Sequence, residues 1–130
     1  MHIFFYIAAI LTSCLTAFLY SKGIGDGWFW VYPWFDIPLH MLGGLMIALW
    51  AAGGALERKM SPQSGILYIF FIVFTVGILW EVFEYITELT VGPERYIIDT
   101  IADLVNDCIG GFISVMLYLY LHYRRMHHVI

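Results

Sequence analysis

An all-α, polytopic membrane bundle of four helices is the fold class this sequence predicts, and three observations predict it. The 130 residues are 62% hydrophobic and 12% charged, with a mean hydropathy of +0.82. A soluble domain of this size cannot hide so much apolar surface in one core. The apolar residues fall into four blocks, each long enough to cross a hydrocarbon layer about 30 Å thick. Little chain separates the blocks, so a single transmembrane domain over 1–130 is expected, with no separate catalytic domain. The formal net charge of −4 says less about function than the places where the charges sit.

The first helix covers about 3–20. It lacks the basic n-region and small-residue cleavage site of a secretory signal, so it is expected to be retained. Cys14 and Cys108 lie inside apolar runs and fit small packing residues better than a disulfide framework or a metal motif. Residues 21–32 (SKGIGDGWFWVY) form a glycine-rich aromatic connection. Trp28, Phe29, Trp30, Tyr32, Trp34 and Phe35 there suit an interfacial belt or a shallow re-entrant piece. The second helix covers about 36–56, the third about 65–89 and the fourth about 96–123. Glu57 to Lys59 with Pro62, and Val91-Gly92-Pro93, supply the breaks. Lys and Arg placement favours both termini in the cytoplasm, with Arg58, Lys59, Arg124 and Arg125 inside against Lys22 and Arg95 outside. Arg124, Arg125, His127 and His128 then make a basic tail that meets anionic lipid.

The acidic residues sort to one end of this bundle. Asp36 and His40 open the second helix, Glu81, Glu84 and Glu88 close the third, and Asp99, Asp103, Asn106 and Asp107 open the fourth. At 1.5 Å per residue, His40 and Asp103 sit about 6 Å along their helices, and Glu81 and Asn106 about 10 Å. At about 100° per residue, Asp36 and His40 share a face, as do Glu81 with Glu88, and Asp99 with Asp103 and Asn106. Three polar stripes therefore converge at a depth where a lone charge is expensive. Gly43 and Gly110 lie beneath on the same faces, where small residues let helices approach. Below them the bundle is read as having almost no polar residues.

Seven carboxylates with Arg95 and one imidazole cannot all ionise in a low dielectric; they must share protons, bind a cation or open to water. Hard oxygen ligands favour Mg²⁺, Ca²⁺ or Mn²⁺, and the imidazole draws the choice toward Mn²⁺, Fe²⁺ or Zn²⁺. Candidate metal ligands are Asp36, His40, Glu81, Glu84, Asp99 and Asp103. His2, His122, His127 and His128 belong to the opposite end, too far to complete a multi-histidine zinc site. Asp36, followed by Pro38, and Asp99 also suit helix capping, and capping does not exclude ligation. Glu88 and Asp107 are read as reaching water or Arg95. Arg95 is either an interfacial anchor or the holder of an anionic headgroup. The glycine pairs at 43/44, 53/54 and 110/111 favour close helix packing or a homo-oligomer. No Ser/His/Asp elbow, phosphate-binding glycine loop, CxxC or nucleic-acid patch is present.

Asp36-x-x-x-His40-x-x-Gly43-Gly44, then Trp80-Glu81-x-x-Glu84-Tyr85, then Asp99-x-x-x-Asp103-x-x-Asn106-x-x-x-Gly110-Gly111 resembles the YjdF-type inner-membrane proteins. More distantly it is similar to VanZ-like membrane proteins, which share a loop Arg before an Asp, Asp, Asn, Gly helix. The resemblance covers Trp34 to Gly111. It implies a multi-pass inner-membrane protein, and the VanZ-like part implies a connection to the cell envelope and to glycopeptide tolerance, without a settled reaction. The chain departs from the VanZ pattern at Glu84, where that family tends to have Gln, and at Ile37, where it tends to have Lys.

Three functions are expected in descending order. The first is a cation-binding chamber open to the outer face that assists chemistry on an envelope lipid or headgroup. There His40, Glu81, Glu84 and Asp103 are the acid/base or ligating groups, while Arg95 and Asn106 bind and orient substrate. The second is a proton- or cation-coupled minimal transporter, against which the apolar lower half counts. The third is a non-catalytic membrane subunit or stress factor whose polar cluster locks helix pairing.

Overall fold

In hydrocarbon every backbone N–H and C=O needs an internal partner, so a long apolar block has the helix as its one local solution. The computed structural model describes residues 1–87 and 96–127, with side chains to Arg124. Its elements are α1 (His2–Gly25), α2 (Trp28–Val31), α3 (Asp36–Glu57), α4 (Pro62–Thr87) and α5 (Tyr96–His127). Among the described residues there is no strand, and α1, α3, α4 and α5 are each long and apolar enough to cross a membrane. The expected end of the third helix at 89, the Val91-Gly92-Pro93 break, Glu88 and Arg95 lie outside the described residues, as do the side chains of Arg125, His127 and His128.

Four boundaries differ from expectation: α5 runs past 123 to His127, and the other three have local reasons. α1 runs past Tyr20 to Gly25, and Gly27 then takes φ +72°, a left-handed turn that glycine enters without a Cβ penalty. The aromatic connection contains one helical turn, α2, whose Phe29 packs edge-on against Phe35 at 5.3 Å between centroids. Pro62 begins α4 instead of breaking the chain before it. Ser61 accepts the Ser64 N–H at 3.2 Å, an N-cap, and proline at the first helical position loses a donor that has no helical partner there.

α3 is the central helix. In its apolar window 56% of residues are buried, against 11% in α1, and it packs against α1, α4 and α5. Its sequence explains this, because Gly44, Ala48, Ala51, Ala52, Gly53 and Ala55 present little more than backbone to three neighbours. Phe5 and Ala9 of α1, Ile69 and Val73 of α4, and Val115 and Tyr118 of α5 close around that surface. Successive long helices run antiparallel, and the start of α3, the end of α4 and the start of α5 share one end of the bundle.

The glycines mark the tightest approaches. A Cβ on Gly44 would overlap the Asp107 backbone carbonyl, and one on Gly110 would overlap the Met41 carbonyl. α3 and α5 therefore touch backbone to backbone in a reciprocal contact. The sequence reading places Gly43 at that approach; its nearest neighbour is Asp107 Oδ1 at 3.8 Å, an ordinary contact. Gly53 receives the Tyr6 ring, and Gly111 meets Val73 and Ala48. Gly44, Gly53, Gly110 and Gly111 thus find their close neighbours within one chain.

Candidate metal centre

His40 lies one turn after Asp36 on α3, and the i,i+4 spacing puts the two side chains on one face. Phe35 precedes the helix without a side-chain capping bond, so Asp36 does not act as the N-cap and its carboxylate faces the imidazole. His40 Nε2 is 3.8 Å from Asp36 Oδ1 and 3.8 Å from Asp103 Oδ1. On the other side of the ring, Nδ1 is 3.3 Å from Asp107 Oδ1. The imidazole is therefore held between carboxylates from two helices, with His40, Asp103 and Asp107 all buried.

α4 supplies the third wall. Glu81 is 4% exposed; its Oε2 accepts a hydrogen bond from Thr100 Oγ1 at 2.7 Å, and its backbone carbonyl accepts one from the Tyr96 hydroxyl at 3.3 Å. These two contacts fix α5 against the end of α4. Glu81 Oε1 and Asp103 Oδ2 are buried with no hydrogen-bond partner among the described residues. Such groups are rare, because an unsatisfied buried oxygen loses its hydration without replacement.

The donor atoms form two overlapping groups. Asp36, His40 and Asp103 each offer an atom within 4.8 Å of the others, and so do His40, Glu81 and Glu84. His40 belongs to both. The geometry thus brings together five of the six candidate ligands named from sequence: Asp36, His40, Glu81, Glu84 and Asp103. Asp99 lies in the first turn of α5, where a carboxylate meets the positive end of the helix dipole, and joins neither group. Asn106 is half-buried on α5. Arg95 falls outside the described residues.

Asp107 is the main residue that the sequence reading misplaced. It is 5% exposed, against His40 Nδ1 and beside Gly77 of α4, where a Cβ would come within 2.8 Å of Asp107 Oδ2. The signal was its i,i+4 spacing from Asp103, together with small residues at 44 and 77 that make room for it. Thr100 and Tyr96 were missed as well, and nothing in the sequence singles them out.

A second difference concerns the far half of the bundle. Ser114 and Tyr118 are fully buried, and Ser114 Oγ, Tyr118 Oη and His122 Nδ1 have no hydrogen-bond partner among the described residues. They follow the Asp103 and Asp107 face of α5 at four-residue intervals from Gly110. The interior below the glycines is therefore less apolar than expected. Gly65 of α4 admits the Tyr118 hydroxyl, since a Cβ there would overlap it.

Beside the cluster lies a cavity of about 320 Å³ that α1 helps to wall. At one end it reaches Asp36, His40, Glu84 and Asp107; the rest runs along Leu39, Gly43, Met46 and Ile47 of α3. The contribution of α1, through Ser13, Thr16, Ala17 and Tyr20, was not expected from the sequence.

Comparison with known proteins gives one finding. The family described as "Predicted membrane protein (DUF2238)" matches residues 1–125, a span that includes α1, α3, α4, all but the last two residues of α5, and the whole cluster. No curated protein and no solved structure matches the chain. None of the comparisons returns a VanZ-like protein.

Proposed function

This chain belongs to the DUF2238 family of predicted membrane proteins, and from that premise we propose that it binds a divalent cation at the His40 cluster and uses it on an envelope lipid or headgroup. One observation carries the reading: His40 is shared by two carboxylate groups, while two carboxylate oxygens of those groups, Glu81 Oε1 and Asp103 Oδ2, are buried without a hydrogen-bond partner among the described residues. A cation would satisfy both oxygens and offset the gathered negative charge. Asp107 on Nδ1 leaves Nε2, which faces Asp36 and Asp103, for the ion; a carboxylate behind a ligating imidazole fixes its tautomer and raises its basicity.

In this reading Asp36, His40, Glu81, Glu84 and Asp103 hold the ion or move protons, and three protein ligands leave coordination positions for substrate. Asn106 and Arg95 orient the headgroup, the cluster opens to the outer face of the inner membrane, and both termini are cytoplasmic. Mg²⁺, Mn²⁺, Ca²⁺ and Zn²⁺ all suit a mixed oxygen and imidazole set. Calorimetric titration of the detergent-purified chain with each ion, alongside elemental analysis, tests it. One ion bound per chain, lost in His40→Ala, is the expected outcome; no binding of any of the four would sink the proposal.

Proton- or cation-coupled transport is a second reading. Ser114, Tyr118 and His122 favour it, because they continue the polar face of α5 into the far half of the bundle. Cation-driven pH change inside proteoliposomes, abolished in Glu84→Gln, is its expected signature.

A further inference from the structure

The cavity next to the cluster has two chemically different ends. Its polar end is the carboxylate and imidazole group; its remainder, from Leu39 to Ile47, follows α3 for about 12 Å toward the middle of the bundle. Ser13 and Thr16 line the α1 side, but their hydroxyls donate to their own helix, to the Ala9 carbonyl at 2.7 Å and the Thr12 carbonyl at 2.9 Å. The volume of about 320 Å³ would take roughly ten units of water size, yet each ordered water needs two to four polar partners. Away from the cluster and Tyr20, the wall offers only the spare lone pairs of these two hydroxyls, too few for that many waters. A hydrocarbon chain needs none.

The opening faces sideways. α1 and α4 both pack on α3, and they meet each other edge-on through Tyr20 and Trp80, 5.8 Å between ring centroids. Below that contact the cleft lies between two helices whose outer faces carry exposed Leu11, Phe18, Phe71 and Leu79, the surface a bilayer solvates. Ala17, Val76 and Trp80 line the cavity and are themselves exposed, so they form its mouth. A chain already in the bilayer can enter there without crossing a polar layer.

We propose that this cleft is the binding site of a membrane amphiphile, with one hydrocarbon chain lying along Gly43, Met46 and Ile47 and an anionic, oxygen-rich head at the His40 end. This deepens the cation reading and rests on it for the head, since gathered carboxylates accept an anionic group when an ion lies between them. The chain site stands on the cavity alone. Tyr20 and Trp80 mark the boundary between the two parts.

The test uses the full chain reconstituted in vesicles containing phosphatidylglycerol with a photoreactive diazirine on one acyl chain, and in parallel a diazirine fatty acid. Adducts are mapped by mass spectrometry with and without Mn²⁺. The expected result is labelling at Met46 or Ile47 several-fold above exposed Leu67 and Phe71, reduced several-fold in Ala17→Trp. That substitution fills the mouth from an exposed position, and circular dichroism checks that the variant remains folded. Phosphatidylglycerol adducts strengthened by Mn²⁺ assign a phosphate head, and fatty-acid adducts alone assign a carboxylate. Labelling spread evenly over lipid-facing residues overturns the proposal, as does cross-linking of Met46 to a second copy in place of lipid. Met46 labelling in a protein that binds no ion keeps the chain site and removes the cation reading; ion binding without Met46 labelling does the reverse.

Discussion

The buried face of α5 carries polar residues at both ends, and the two ends differ in kind. Toward its start, Asp103 and Asp107 meet His40 from α3 and lie beside Glu81 and Glu84 from α4, so charged groups from three helices converge. Toward its end, Ser114 and Tyr118 are buried and His122 is half-buried, and Ser114 Oγ, Tyr118 Oη and His122 Nδ1 have no hydrogen-bond partner among the described residues. A lone hydroxyl in an apolar interior costs about 1–3 kcal/mol, whereas gathered carboxylates demand a counter-charge. Between the ends lies the Gly44 and Gly110 contact, which brings α3 and α5 together closely enough for the first arrangement to form. The difference teaches that burial of polarity is not by itself a site; convergence is.

The contact between the two ends is where the comparison breaks most easily. Gly110→Val places side-chain carbons against the Met41 backbone, which cannot move aside, and should destabilise the fold by about 3 kcal/mol or more. Loss of monodisperse protein and a lowered melting temperature in detergent would register it, with cation binding lost in the same sample. His40→Ala removes the residue common to both donor groups and should lower cation affinity by about 100-fold or more, beyond the 10–100-fold typical of residues behind the ligands. Titration at constant pH measures this, and acidification of the wild-type chain should weaken binding as protons compete for the same atoms.

Asp107→Asn keeps the shape beside Gly77 and removes the charge behind the imidazole. It should cost about 10–100-fold in affinity while leaving the fold intact, read by titration together with circular dichroism. At the other end, Tyr118→Phe deletes a buried hydroxyl that has no hydrogen-bond partner among the described residues. Stability should change by less than about 1 kcal/mol, in the favourable direction if it changes, and cation affinity not at all. An effect of Tyr118→Phe on the ion would show that the two ends are coupled and would favour the transport reading. The smallest effect is expected at Gly43→Ala, where a Cβ meets nothing closer than 3.8 Å; about 0.5 kcal/mol of stabilisation should follow from the less flexible unfolded chain.

Much of the centre was legible in the residue pattern. Asp36, His40, Glu81, Glu84 and Asp103 each sit on a helix whose period and polarity place them at one end of an antiparallel bundle, and charged groups at that depth need partners. Asp107 was not legible in the same way. Its angle is compatible with either water or the interior, and the choice depends on the offset of α3 against α5, which Gly44 and Gly110 set. Thr100 became a partner of Glu81 for a similar reason, since the stagger of α4 and α5 decides which hydroxyl reaches which oxygen. The cleft beside α1 depends on how far that helix stands from α4, and single-helix periodicity carries no information on that distance.

By itself, then, the sequence determined that the chain forms four long apolar helices and that its scarce carboxylates gather at one end. Both follow from local physics: hydrocarbon requires helices to satisfy the backbone, and charges avoid its interior unless grouped. Tertiary structure decided which glycine makes the close contact, which carboxylate stands behind His40, and that a cavity opens between α1 and α4. Those outcomes depend on rotations and offsets between helices, set by side-chain packing across sequence separations that no local pattern encodes.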